Sequence, residues 1–427
     1  MQFKRRTFFS GLIGLSLPAL FPIKAKSIEV PQFGYFPIMQ GPTSDTETQI
    51  AILIHKSEKI SCHLTMGDEK INPISIEVYD WPTSDYVVVQ VLFHDLTPDT
   101  DYQLHVNNDK AEPLDIRRLK TFSATKKNLR IAFVSCSCDA FRLRSKQMWG
   151  ALYSKSPDLI VMMGDNVYAG LYLERDPDHV WRRYVQTRTR LSIFREEKLI
   201  PSIATWDDHD IGVDGAHRDH KYVEPAMRIF KSFFPQIEKM KNFEQGPGVS
   251  NCFTIYGQQF LMLDGRSQRA PTKTEVHYVW GKEQFDWMLS HLNNSHFTWI
   301  VNGTQFIGAN DEAVNNADPH TLNRLFSAVK QRAGKVCFAS GDVHFSEVST
   351  MPVEKTNYQT YELTSSSIHS HINPFEYKEP NNPRRLASTS EYNFLIVDTN
   401  GSHTEMNLSI DCVLSKTRSA FQLDLKI

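Results

Sequence analysis

The stretch Leu159-Ile160-Val161-Met162-Met163-Gly164-Asp165-Asn166-Val167-Tyr168 is a run of five apolar residues that ends abruptly in Gly-Asp. Five uninterrupted apolar residues suit a strand covered on both faces. Gly164 permits a sharp exit, which leaves Asp165 free to point at a cation. A carboxylate has two oxygens and can bridge two metals held roughly 3.5–4 Å apart. Tyr168 could turn back to the same ion, and a phenolate would favour a trivalent metal such as iron. An ordinary Gly-Asp turn with a packing tyrosine fits the motif equally well.

Working outward, five more apolar runs end in chemically loaded residues: VSCSCD around Cys136, TWDDHDIG around Asp208, LMLDGRSQR around Arg266, VNGTQF around Gln305 and FASGDVHFSE around Asp342. A buried strand ending in such groups is costly unless they find partners or a cation. Six endings of this kind in one chain point to a metal site. Cys136 and Cys138 follow the strand Arg130 to Ser135, at the end where α/β folds place their sites. The three carboxylates around His209 would repel one another without a cation or donors, although a solvated acidic loop has the same composition. Asp208 is assigned to a second metal, and His209 to the leaving-group side as general acid or charge stabiliser. Asp342 and His344, two apart in an extended segment, would lie on one side and reach the same metals.

The rest of the chain from 126 to 427 alternates strands with helices. Runs at Ile131 to Val134, Ile200 to Thr205, Phe260 to Leu263, Trp299 to Val301 and Val336 to Ala339 predict buried strands. Helical spacing covers Lys146 to Ser154, His179 to Arg190, Pro225 to Phe234, Lys282 to Leu292 and Thr321 to Arg332. Late strands at Thr360 to Thr364, Tyr392 to Val397 and Glu405 to Leu414 complete an α/β fold, an α/β/β/α sandwich. Residues 28–125 have a different texture. Short β-branched and aromatic runs there predict a small β-sandwich, and Leu96-Thr97-Pro98-Asp99-Thr100-Asp101-Tyr102 resembles the tyrosine corner of fibronectin type III-like domains. With no convergent polar cluster, this segment reads as a structural or gating module.

Residues 1–27 carry Lys4-Arg5-Arg6-Thr7-Phe8-Phe9, an apolar run from Gly11 to Ile23, and a small-x-small ending at Ala25-Lys26-Ser27. The pattern predicts a signal read by the twin-arginine export machinery and a periplasmic or extracellular product. The run falls short of the roughly 20 residues that span a bilayer, and no other stretch approaches that length. Removing five basic and no acidic residues takes the balance from 47 against 49 to 42 against 49, a net charge near -7. Bulk charge therefore does not hold a nucleic-acid partner. The six irregularly spaced cysteines form no disulfide framework. Cys62, Cys252, Cys337 and Cys412 read as packing residues, with a Cys62 disulfide left open.

Ser135-Cys136, Gly164-Asp165-Asn166-Val167-Tyr168, Trp206-Asp207-Asp208-His209-Asp210, Leu263-Asp264-x-Arg266 and Ser340-Gly341-Asp342-x-His344 together resemble the alkaline phosphatase D (PhoD-like) family of calcineurin-like metallophosphoesterases. The resemblance implies a phosphate-ester substrate and a mixed cluster of Fe3+ and Ca2+. It puts Cys136, Asp165, Tyr168 and His344 on iron, and Asp165, Asp208 and Asp342 on calcium. It also implies an alkaline phosphatase or phosphodiesterase in which metal-bound hydroxide attacks phosphorus and His209 assists the leaving alkoxide. Arg266 is expected to grip a phosphate oxygen through its fork, or else to pair with Asp264. Gly265 stands where threonine is usual and Asp214 where asparagine is expected. Asn302 and Gln305 occupy a region where related enzymes place a polar group near the second metal. The polar turn Thr364 to Ser367, with His369 and His371, suits ordinary turn chemistry or a place at the rim. A metal-stabilised pseudoenzyme and a surface binding module built on the β-sandwich remain as alternatives.

Overall fold

The computed structural model describes residues 33–237, 240–271, 278–292, 295–373 and 382–427, so the expected signal at 1–27 lies outside the described residues. It shows a mixed α/β fold with four sheets. Residues Gln32–Ile427 group into one compact unit.

The N-terminal strands form two antiparallel sheets of four. One runs in the order Ile38–Thr43, Thr48–His55, Tyr86–Phe93, Ser75–Tyr79, and the other Glu69–Ile71, Ser61–Met66, Asp101–Asn107, Pro113–Lys120. They share a core of Ile50, Ile52, Val89, Val91, Leu104 and Val106. The strand Thr48–His55 is apolar from Ile50 to Ile54 because both its faces are buried: Ala51 and Leu53 turn away to pack with Trp181 and Phe233. Gln49 seals this second face, donating to the Ile237 carbonyl at 2.8 Å and accepting from its N–H at 2.9 Å. Tyr102 is buried, and its hydroxyl accepts the Thr97 N–H at 2.7 Å, as the corner motif predicts.

Two larger sheets follow. In the six-stranded one, Arg130–Val134, Leu159–Met163 and Ser202–Thr205 are parallel, and Phe394–Gly401 joins them antiparallel. The eight-stranded one is built on parallel Gln258–Met262, Phe297–Val301, Val336–Ser340 and Tyr361–Thr364. Side-chain alternation partitions the core. Leu159, Val161 and Met163 pack with Phe260, Met262, Trp299 and Val301 of the other sheet, while Ile160 and Met162 join the helices Arg142–Ser154, Pro177–Arg190 and Val223–Phe233. On the eight-stranded sheet, Leu261, Ile300 and Phe338 meet the helices Gly281–His291 and Pro319–Lys330.

Helix starts lie upstream of the apolar periodicity. Pro177 and Pro319 open their helices behind the caps Asp176 and Asp318, which accept from His179 and Thr321 N–H groups. Prolines at first helical positions carry no periodic signal, but they suit a turn whose N–H groups are orphaned anyway. The strands Ile38–Thr43, Ser75–Tyr79, Pro113–Lys120, Ser346–Thr350 and Arg418–Lys426 carry no clear apolar pattern, being rich in polar residues and recruited by neighbouring strands. All six cysteines are free thiols, which closes the question of a Cys62 bridge, and Cys62, Cys252, Cys337 and Cys412 are buried.

Candidate metal centre

Every chemically loaded segment leaves the carboxyl end of a parallel strand, where an open α/β sheet exposes backbone and loops to a shared crevice. The backbone at these exits is unusual. Cys136, Asp165, Asp342 and His344 all have positive φ, at 56°, 51°, 70° and 59°. L-residues pay roughly 1–2 kcal/mol for this region, and such outliers cluster where function holds a side chain in place. Gly164, at φ 97°, has a second reason to be glycine: an added Cβ would come within 2.7 Å of the Asp207 Cβ. The turn at 341–344 is therefore not the extended segment expected, and alternation is not what aims Asp342 and His344.

Two groups of donor atoms converge, each with its ligand atoms within 4.8 Å of one another: Cys136, Asp165 and His344, and Asp165, Asp208 and His209. Asp165 is common to both. Its Oδ2 lies 3.7 Å from the Cys136 sulfur and 3.3 Å from the Tyr168 hydroxyl, and that hydroxyl is 2.9 Å from His344 Nε2. Its Oδ1 is buried with no hydrogen-bond partner. Asp208 is held by the N–H groups of His209 (2.8 Å) and Gly215 (2.7 Å). His209 Nδ1 donates to the Gly170 carbonyl at 2.8 Å, and its ring stacks on Tyr168 with centroids 4.6 Å apart.

The sequence profile of PhoD-like phosphatases matches residues 132–411. The chain belongs to the PhoD-like phosphatase family. Alkaline phosphatase D of Bacillus subtilis (strain 168) is 21% identical over 339 residues, covering 64% of this chain and 57% of that protein, so the match spans little more than half of the relative. A solved structure described as the structure of PhoD superposes with a TM-score of 0.71 at 15% identity, over 93% of this chain and 90% of that one, and shows a common fold.

The residues present fit metal ions. Thiol, phenol and imidazole suit a transition metal, and clustered carboxylates suit a hard cation. Without a cation Asp165, Cys136 and Tyr168 are pushed towards their neutral forms. Burial pushes the Asp165 carboxyl up to about 7, against the lowering effect of His209. Burial and then the Asp165 charge raise the Cys136 thiol well above its ordinary value, against hydrogen bonds from Ser135 and Ser366. Burial likewise raises the Tyr168 phenol. Burial lowers His209, but the charges of Asp165 and Asp208 outweigh it and carry the ring up to about 9. Cations placed here would reverse that field and favour thiolate, phenolate and carboxylate.

Several expected residues are used differently. Asp207 binds Arg266 Nε, and Asp210 accepts the N–H groups of Val167 (2.9 Å) and Asp207 (2.9 Å), so donors relieve much of the repulsion foreseen in this acidic motif. Arg266 is fully buried, and its Nη2 lies 2.8 Å from Glu312 and 3.7 Å from Asp208. Its acidic partners come from other strand ends rather than from Asp264, which instead accepts from Trp206 Nε1 at 2.6 Å and Val249 N at 3.0 Å. The Asp342 carboxylate stands outside both donor groups, and its carbonyl faces the Cys136 sulfur at 3.6 Å. Asn302 is engaged by Trp280 and Thr304, and Gln305 by Glu347 and Thr364, so both are framework residues. Asp214 is exposed beside the centre.

The polar turn after Tyr361–Thr364 turns out to line the centre. Ser366 Oγ donates to the Cys136 sulfur at 3.1 Å and accepts the His344 N–H at 2.9 Å. His371 Nε2 meets His344 Nδ1. Serines and histidines in a turn carry no periodic signal, and Glu312 had none either. The turn's position after a strand is the signal that marks it in the sequence, and Glu312, in a loop well past its strand, has no such mark.

Proposed function

We propose that this chain is a metal-dependent phosphoric ester hydrolase of the alkaline phosphatase or phosphodiesterase type. The observation that carries this reading is Asp165, shared by two donor groups and holding a buried oxygen without a partner. In this reading Cys136, Asp165, Tyr168 and His344 would hold one ion, with iron favoured. Asp165, Asp208 and Asp342 would hold a second, with calcium favoured and Asp342 turning inward on loading. When bound, such ions polarise the ester and lower the pKa of water. Asp208, fixed by two backbone N–H groups, keeps its place while the charge of the site changes. His209, with Nδ1–H tied to Gly170, has Nε2 left to exchange a proton with the leaving oxygen. Arg266 orients Asp207 and Asp208, and its unpartnered Nη1 is the atom through which it would grip phosphate.

The layering of helices and paired sheets, a division near residue 125 between a fibronectin-like module and a catalytic domain, and export through the twin-arginine route complete the proposal. No helix among the described residues is long and apolar enough to cross a membrane. The test is hydrolysis of a generic phosphodiester and a generic phosphomonoester by the purified protein, with and without a calcium chelator. Chelator-sensitive turnover supports the reading, and the ratio of rates sets the substrate class. No turnover on either ester by metal-replete protein overturns it in favour of a binding role.

A further inference from the structure

Among the described residues, six of the thirteen exposed large apolar side chains lie on segments that lead away from the metal centre. Phe141 and Leu143 are 44% and 73% exposed, Leu171, Tyr172 and Leu173 are 49%, 86% and 68%, and Ile372 is 39%. All sit on segments that follow strands bounding the metal centre. The parallel pairing of Arg130–Val134 with Leu159–Met163 brings the first two segments out at the same end of one sheet. Leu171 follows Gly170, the partner of His209, and its carbonyl accepts the Asp214 N–H at 2.7 Å. Ile372 follows His371, the partner of His344.

Leaving several such side chains in water on segments that leave the same end of a sheet is unfavourable, and grouped apolar exposure marks an interaction surface. The charge beside it identifies the partner. Helix Arg142–Ser154 begins Arg142-Leu143-Arg144-Ser145-Lys146, with no acid in its first turn. Arg142 and Lys146, one helical turn apart on the exposed side, make no ion pair among the described residues, while Arg144 covers the Tyr392 ring at 4.8 Å. Cations at a helix start oppose the helix dipole, so helix stability does not explain them. The acids that follow Leu173, Glu174, Asp176 and Asp178, are exposed as well, so the positive charge is confined to the corner at the helix start.

We propose that the rim of the metal centre is a peripheral docking surface for an anionic lipid bilayer. Phe141, Leu143, Leu171, Tyr172 and Leu173 enter the headgroup layer, and Arg142 and Lys146 meet its negative charge. Apolar insertion with flanking basic residues is how a protein without a spanning helix holds a membrane surface. The strand ends that carry the centre then face the lipid. This docking requires no turnover, so it stands or falls separately from the hydrolase reading.

The test is cosedimentation of the purified full chain with vesicles of phosphatidylcholine alone or mixed with phosphatidylglycerol. The expected result is binding to the mixed vesicles that weakens with salt, and little binding to phosphatidylcholine. Arg142→Gln and Lys146→Gln should each weaken it about five-fold, and Leu143→Ser with Leu173→Ser at least about ten-fold, with circular dichroism and melting unchanged. Absence of wild-type binding to either vesicle, or variants that bind like wild type, overturns the proposal. So does a wild-type dimer that the leucine variants convert to monomer without any vesicle binding, because the face would then belong to a second copy of the chain.

Discussion

His344 Nδ1 lies 2.6 Å from His371 Nε2, with the two rings edge to face and their centroids 3.8 Å apart. Burial pushes His344 down to about 3 and lowers His371 as well, so both rings are neutral and only one can donate. If His344 carries its proton on Nδ1, its Nε2, beside Tyr168, has a lone pair for a cation. A partner on the far nitrogen of a ligating histidine typically contributes about 10–100-fold in metal affinity. His371→Ala should therefore lower the metal retained through dialysis by that factor, and His371→Gln, which keeps an acceptor, should restore part of it. Unchanged metal content in the alanine variant would remove His371 from this role.

Asp208 belongs to one donor group and Asp165 to both. Asp208→Ala should cut the metal stoichiometry from two ions to one and keep the ion at Cys136, with its thiolate or phenolate charge-transfer absorption. Asp165→Ala should lose both ions and the absorption, and activity should fall at least about 100-fold in either variant. Elemental analysis with visible spectroscopy distinguishes the two patterns. Identical losses in both variants would show that the centre loads as one unit.

The fully buried pair Asp115 and Arg117 anchors the N-terminal strands. Asp115 accepts the N–H groups of Gly34 (3.2 Å) and Phe36 (2.7 Å) as well as Arg117 Nε (2.8 Å), while Arg117 donates to the Glu196 and Phe36 carbonyls at 2.6 Å. Asp115→Ala strands a buried guanidinium and should cost roughly 3–5 kcal/mol in chemical denaturation. A paired Asp115→Leu and Arg117→Met variant should recover much of that loss. A single variant as stable as wild type would mean that the guanidinium finds water or another acceptor.

Part of the acid sensitivity should trace to His369. Trp149 Nε1 donates to its Nε2 at 2.8 Å, which leaves its Nδ1–H for the Cys138 carbonyl at 3.0 Å, so the ring is fixed as neutral. Burial lowers its pKa from 6.5 to about 4. The unfolded chain then takes up the proton first on acidification. The contribution is complete above pH 6.5 and is lost as pH falls towards 4, about 3 kcal/mol in all. Denaturation midpoints followed over this range should fall for the wild type and fall less steeply for His369→Gln. Parallel pH profiles would assign the acid sensitivity to other groups.

The strands with the plainest sequence signal lie where both faces are buried. Leu159–Met163 and Tyr86–Phe93 have the bounds that their apolar runs mark, because a residue between two packed layers is apolar unless, like Gln90, it donates to backbone carbonyls there. Half-exposed strands such as Ser75–Tyr79, with exposed Ile76 and Val78, follow no such rule and were not legible. In the site, Cys136, Asp165, Tyr168, Asp208, His209 and His344 were legible because a polar group ending a buried strand needs a reason to be there.

The sequence by itself determined the alternation of strands and helices, the glycine exits and the donor-rich strand ends, all of which depend on residues a few positions apart. Tertiary structure alone decided which ends meet. Ser366 reaches Cys136 across 230 positions, and Arg266 reaches Asp207 across 59. Those pairings follow from strand order and from which oxygens and nitrogens remain unsatisfied once the sheets have packed. The physical reason is that periodicity and backbone freedom are local properties of a chain, while the partner of a buried charge is whatever the closed fold brings within hydrogen-bond reach.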